Sequence, residues 1–383
     1  MKNIHVCLVS DQTIPNILAI HHFQPDELLL VTTPEMERRR KGAHILAALS
    51  AIGLDFTQRH STITVPEESL LDAHRSLEEW TRGREDAEFV VNLTCGTKIM
   101  AIAAYEFFKD YGARMIYIPL PKNEFIIPFP KRHTGKPVPL ALRLDVSAYL
   151  AAYGLQVINA KSLDKGRRDS AKRKELSLWV VQNYPELKPL LERLGQKLRE
   201  HRDDRDGYLL KTACAPVTDV ELELLSRLGF ILDGEDYCKQ LSRSEVCYLT
   251  GGWLEEFCFN EVASLIGNGI DDVAIGIKIM NNKKRDNEFD VMFTKDNALY
   301  TVECKSLDQN DDKKADALYK IAALQKEFGL RVKSFFVSTS PHIMRDGQLK
   351  QAIAARAEQF STIVITPDEV AHFGQRLREN LNL

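Results

Sequence analysis

The chain has 383 residues, enough for two or three domains, each with its own core. Charged residues make up 27% and apolar ones 44%, and the net charge is -3, so any contact with nucleic acid must come from local basic patches rather than the whole surface. Seven cysteines (Cys7, Cys95, Cys214, Cys238, Cys247, Cys258, Cys304) are scattered without a Cys-x-x-Cys pair, which argues for reduced thiols and against structural zinc. No apolar run reaches membrane-spanning length, so no membrane partner and a cytoplasmic location are expected.

The first 120 residues alternate strands and helices. Ile4–Val9 is predicted as a strand, followed by the loop Ser10-Asp11-Gln12-Thr13 and a helix over Ile14–Phe23, with Pro15 at a tolerated early position. The unit recurs: strand Leu28–Val31 and helix Pro34–Ile52; strand Ile63–Val65 and a helix ending at Arg82; strand Phe89–Leu93 and helix Thr97–Tyr111; strand Met115–Ile118. Such alternation means a parallel sheet covered by helices on both faces, with ligands expected beyond the carboxyl ends of the strands.

Two of those ends are equipped. Thr94-Cys95-Gly96-Thr97-Lys98 puts a glycine, two hydroxyls and a lysine at a strand-to-helix joint, where backbone amides favour a phosphate; Ser10, Gln12 and Thr13 stand at another end. Read locally, Thr94 and Thr97 serve equally well as turn and cap residues. No Gly-x-Gly-x-x-Gly or Walker motif occurs, which disfavours NAD and nucleoside triphosphates. The Thr94-x-Gly96-Thr97-Lys98 loop, with Met100–Ala104 after it, resembles the signature of CARF domains, the CRISPR-associated Rossmann-like sensors. That resemblance implies a homodimer that binds a cyclic oligoadenylate across its two-fold axis, with cyclic tetra-adenylate as allosteric activator.

Prolines at 128, 130, 137 and 139, around Lys131-Arg132-His133, suggest the end of the first domain near residue 141; His133 reads as a loop residue, since nothing nearby orients it. Residues 142–249 read as a helical connector, winged-helix-like in outline, with helices at Val146–Tyr153, Leu176–Tyr184, Leu187–Arg199 and Asp219–Leu228. Between Lys161 and Lys174 seven basic residues stand against two acidic ones, a guide for a nucleic-acid strand or a solvated helix face.

From residue 250 to 383 the chemistry concentrates. A helix over 252–265 carries Glu255, a strand covers 273–280, and Asn287–Phe293 and Ala298–Lys305 form the arms of a β-hairpin around Thr294–Asn297. Side-chain alternation puts Asp290 on a face with Glu288, and Glu303 with Lys305. Converging carboxylates call for a shared proton or a cation, and hard oxygen donors suit Mg²⁺ or Mn²⁺. With a lysine to orient a water, the implied reaction is phosphodiester hydrolysis.

The order acidic helix, Asp290, then Glu303-x-Lys305 resembles the PD-(D/E)xK nuclease superfamily, with Phe289-Asp290 in place of Pro-Asp. It implies Asp290, Glu303 and Cys304 as the metal set, Lys305 as catalytic lysine and Glu255 as auxiliary ligand or support. It also implies a helix over 312–328 and a strand over Val332–Val337; Lys320 and Gln325 of that helix are within reach of the site, with a solvated position as the other reading of Lys320. The acidic loop Asp308–Asp312 lacks the EF-hand spacing. A strand at Thr362–Ile365 and a helix after Pro367 close the chain.

The fold expected is therefore α/β: an N-terminal Rossmann-like sheet, a helical connector and a restriction-endonuclease-like domain. The combination resembles the cyclic-oligoadenylate-activated nucleases of type III CRISPR defence, acting on DNA, RNA or both. A constitutive repair- or restriction-type endonuclease and a non-catalytic ligand-sensing, nucleic-acid-binding protein are the alternatives.

Overall fold

The computed structural model of the chain describes residues 1–130, 135–212, 218–280, 286–306, 328–329 and 332–383. His133, Asp308–Asp312, Lys320, Gln325 and the expected helix as far as residue 327 fall outside that set.

Strands β1 (Asn3–Leu8), β2 (Glu27–Thr32), β3 (His60–Thr64), β4 (Glu88–Asn92) and β5 (Arg114–Tyr117) pair in parallel in the order β3-β2-β1-β4-β5. Alternation sends Ile4, Val6, Leu8 and Val91 into one apolar cluster and Cys7, Leu28, Leu30 and Ile116 into another on the opposite face. Both faces are covered, as a parallel sheet requires. Helices α1 (Ile14–Phe23), α2 (Pro34–Arg38), α3 (Lys41–Ala51), α4 (Leu70–Thr81) and α5 (Lys98–Asp110) supply the cover.

Two expectations need correction. The helix predicted over Pro34–Ile52 is broken at Arg40, whose φ of 55° is left-handed, and the break turns Arg39 and Lys41 toward Asp11. The proline-rich stretch, where no strand was expected, adds antiparallel strands β6 (Glu124–Phe129) and β7 (Val138–Pro139) at the sheet edge, where a missing N–H is tolerated.

The middle of the chain contains α6 (Val146–Ala152), the short strand β8 (Gln156–Val157), α7 (Ala160–Lys172), α8 (Lys174–Gln182) and α9 (Tyr184–Leu198). Strand β9 (Tyr208–Thr212), helix α10 (Asp219–Arg227) and strands β10 (Ile231–Asp233) and β11 (Asp236–Leu241) follow, the strands forming an antiparallel sheet in the order β10-β11-β9. Helix α11 (Arg243–Cys247) then leads through a wide turn, with Gly251 at φ 127°, into α12 (Trp253–Ala263).

Strands β12 (Asp272–Met280), β13 (Asp286–Lys295) and β14 (Ala298–Lys305) form an antiparallel meander; β15 (Val332–Ser338) and Thr362–Ile365 add in parallel, and β8 closes the other edge. Helix Phe373–Leu381 ends the chain's secondary structure. One apolar cluster runs from Ile14 and Ile45 through Tyr149 of α6 to Ile277, Met292 and Leu299 of the second sheet, so the two sheets share a core. No helix among the described residues is long and apolar enough to cross a membrane.

Candidate functional site

The hairpin is tighter than expected. Only Asp296 and Asn297 connect its arms, both with positive φ (50° and 57°), which is the type I′ geometry that matches strand twist. Lys295 opposes Ala298 and Val291 opposes Val302, and one step further the register brings Asp290 across from Glu303. Asp290 Oδ2 accepts the Cys304 backbone N–H at 2.7 Å, and Lys305 Nζ donates to Glu303 Oε1 at 2.7 Å. The next residue, Ser306, offers its carbonyl to the Tyr184 and Thr339 hydroxyls at 3.1 and 2.9 Å, which pins the strand end beside α9.

Electrostatics couple the acids. Burial, then the neighbouring Glu255 and Glu303, push the Asp290 carboxyl well above its ordinary range. Burial also raises Glu255 to about 7, with Arg202 and Lys305 opposing the rise. For Lys305, burial works downward, but Glu303 and Asp290 outweigh it and hold the ammonium charged. Acids that resist ionisation beside a fixed cation are short of positive charge, and their hard oxygens suit a divalent ion.

Among the described residues, no three His, Cys, Asp or Glu side chains are arranged as a ready metal cluster. The protein's own donors, Cys304 N–H and Lys305 Nζ, engage Asp290 and Glu303 here. The Cys304 side chain lies on the α12 side against Cys258, in the apolar cluster, where burial and that neighbour push the thiol up. Its backbone N–H is the part that touches Asp290. Glu288 pairs with Lys278 at 3.2 Å.

At the other sheet, the strand order reverses direction between β1 and β4, and both equipped loops lie at the carboxyl ends of those two strands, the place where such sheets open a crevice. The turn and cap reading of the Thr94 loop is met. Thr97 caps α5 through Met100 N at 3.1 Å, and Thr94 Oγ1 donates to Asn92 Oδ1 at 2.6 Å while accepting Ile118 N at 2.8 Å. Gly96 is left-handed at φ 81°, and a Cβ there would stand 2.9 Å from Leu8 Cβ. Lys98 is exposed. Ser10 closes a turn onto Gln12 N at 3.2 Å. Thr13 departs from expectation: fully buried, its hydroxyl donates to Ala152 O at 2.6 Å and so faces α6, not the crevice.

Sequence reasoning missed several residues. Buried Asn16 and Asn92 bond each other at 2.9 Å and tie β1, β4 and α1 together beneath the loops; a polar amide in an otherwise apolar strand end was the available signal. Lys41, Arg39 and Asp11 form a charged group beside the Ser10 loop. Asn297 carries no such signal beyond its turn. Fully buried, it accepts Leu144 N at 2.8 Å and donates to Asn123 Oδ1 at 2.9 Å and Leu142 O at 3.0 Å, so the hairpin turn is fastened to the first domain. A second link runs from the crevice: Tyr153 OH to Gln12 Oε1 at 3.5 Å, Tyr149 OH to Phe328 O at 3.1 Å, and Phe328 edge-on to Phe289, the residue before Asp290, at 5.6 Å.

A crevice at the switch point of one sheet, joined through a shared core to an acid-rich hairpin on another, is the layout of a sensor coupled to an effector. Family comparison agrees. The Card1 CARF domain model matches residues 4–149 and the Card1-like endonuclease domain model matches residues 242–383. The chain belongs to the CARF-domain endonucleases, with a Card1 CARF domain ahead of a Card1-like endonuclease domain.

Among solved structures, the chain is similar to protein VC1899 from Vibrio cholerae (TM-score 0.81, 18% identity, 99% of this chain and 98% of that one). It is similar to Can2 from Sulfobacillus thermosulfidooxidans, solved with cyclic tetra-adenylate (TM-score 0.75, 24% identity, all of both chains). A third is a type III CRISPR defence DNA nuclease activated by cyclic oligoadenylate (TM-score 0.52, 18% identity, 94% of this chain and 52% of that one). At these identities the likeness shows the fold. A search of curated proteins returned no match.

Proposed function

We propose that the chain is a cyclic-oligoadenylate-activated, metal-dependent nuclease of type III CRISPR defence that hydrolyses phosphodiester bonds in DNA, RNA or both and works as a homodimer. The observation that carries this is the coupled centre of Asp290, Glu303, Glu255 and Lys305, on a hairpin whose turn is bonded to the CARF domain. The Can2 relative, solved with cyclic tetra-adenylate, supports that ring as activator in the crevice bounded by Ser10, Gln12, Thr94, Gly96, Thr97 and Lys98.

Asp290 and Glu303 would hold Mg²⁺ or Mn²⁺ together with the Cys304 backbone, Glu255 supporting. When bound, the ion lowers the pKa of a water and polarises the phosphoryl oxygen. Lys305, kept cationic by its acidic neighbours, orients the attacking water and offsets charge on the phosphorane. The ring must bind the active arrangement more tightly than the resting one, and the Asn297 and Phe328 links are the routes by which that preference reaches the hairpin.

The test is cleavage of supercoiled plasmid, single-stranded DNA and single-stranded RNA with Mg²⁺ or Mn²⁺, with and without cyclic tetra-adenylate. Cutting that requires both ring and metal, and that is lost in folded Glu303→Gln and Lys305→Ala variants, is the expected result. Ring-independent cutting would refute the activation, and full cutting by either variant would refute the site.

A further inference from the structure

A cavity of about 570 Å³ lies between α7 and the segment Arg205–Gly207, lined by seven cationic side chains against three carboxylates. Its charge is local, because the whole chain carries a net -3. Some of these cations are held by the protein itself: Arg243 by Asp203 at 3.0 Å, Lys239 by Glu245 at 2.5 Å, and Arg173 by Glu256. Lys165, Lys172 and Arg205 are exposed and enter no ion pair among the described residues.

The cavity is joined to the helix of the acid centre through Arg173. Arg173 Nε donates to Glu256 Oε2 at 2.8 Å, and Glu256 is the residue after Glu255 on α12. Arg202 stands at the head of the same loop. Its carbonyl accepts Arg243 Nε at 3.1 Å, which fixes its backbone to α11, while its side chain is exposed and has no ion pair among the described residues. Exposed cations without an ion pair among the described residues therefore stand on α7 and on the loop that follows α9.

We propose that Lys165, Lys172, Arg205 and Arg202 form the track on which the phosphodiester backbone of the substrate lies as it enters the catalytic centre. This rests on the nuclease reading of the Asp290 site and deepens it. The interactions are charge to phosphate, which fix position and register without reading bases. All four residues lie between the two stretches matched by the family models, so the track belongs to a segment that neither match describes.

The experiment uses the full-length chain with cyclic tetra-adenylate, Mn²⁺ and whichever fluorescein-labelled DNA or RNA strand the wild type cuts. Steady-state KM is measured from 50 to 300 mM KCl for wild type, Lys165→Glu/Lys172→Glu/Arg205→Glu and Arg202→Glu. Binding of cyclic tetra-adenylate is measured in parallel. The triple variant is expected to raise KM at least tenfold and to flatten the dependence of log KM on log salt by about 0.7–0.9 for each phosphate that is no longer neutralised. Ring affinity stays at the wild-type value. Replacing both lysines by arginine keeps the salt dependence, which separates charge from a change of shape. Reversals that leave KM and its salt dependence at wild-type values overturn the track while the nuclease reading stands. A wild-type chain that cuts no nucleic acid overturns that reading and the track with it.

Discussion

Replacing Asn297 tests whether the two domains are mechanically joined. Its amide makes three bonds across the junction, and its φ of 57° is one that asparagine adopts more readily than most residues. Asn297→Ala leaves the buried Leu144 N–H without its acceptor, costing about 1–3 kcal/mol, and puts alanine in a left-handed conformation that asparagine tolerates better, at about 1 kcal/mol more. A loss of about 3 kcal/mol is expected. Asn297→Gly removes the backbone penalty and keeps the bonding defect, so its loss should be smaller by about 1 kcal/mol. Urea denaturation followed by tryptophan fluorescence measures both, and the cyclic tetra-adenylate dose response of cleavage measures coupling. The variants should need more ring for half-maximal cutting while binding the ring normally. If both unfold within about 0.5 kcal/mol of wild type and respond to the ring unchanged, the junction does not transmit and the reasoning fails.

Two further outcomes follow from buried ionisable groups. His5 is fully buried with neither ring nitrogen partnered, and burial lowers its pKa to about 3, so on acidification the unfolded chain takes up the proton first and stability falls as pH drops below about 6.5. Between pH 7 and pH 5 this residue should remove about 2 kcal/mol, and His5→Leu should abolish that part of the slope in denaturation at the two pH values; an unchanged slope would contradict it. The Arg173–Glu256 pair is mostly buried, at 18% and 10% side-chain exposure, so Arg173→Met should cost about 3 kcal/mol by stranding the Glu256 carboxylate, while Arg173→Met/Glu256→Leu should regain most of it; equal loss in both variants by thermal unfolding would count against the pair.

What the sequence determined is local. Strand and helix periods are set by residues two to four apart, so the alternating units of the first domain, the hairpin at Asp290 to Lys305 and the faces of Glu303 and Lys305 could be read directly. The same local logic placed the loops at Ser10 and Thr94, although it could not tell a spent hydroxyl from a free one, as Thr13 shows. Prolines misled where an edge strand tolerates them, and helix periodicity ran unbroken across Arg40 because a single left-handed residue leaves no periodic trace. The tertiary structure alone decided which distant residues meet: Asn297 with Leu144, Thr13 with Ala152, and Arg173 with Glu256. Such pairs join segments whose separation along the chain has no period, and they form only once apolar faces such as those of α6 and β12 have been buried together. The hairpin's chemistry is therefore written along the chain, while its connection to the sensor exists only in the packed core.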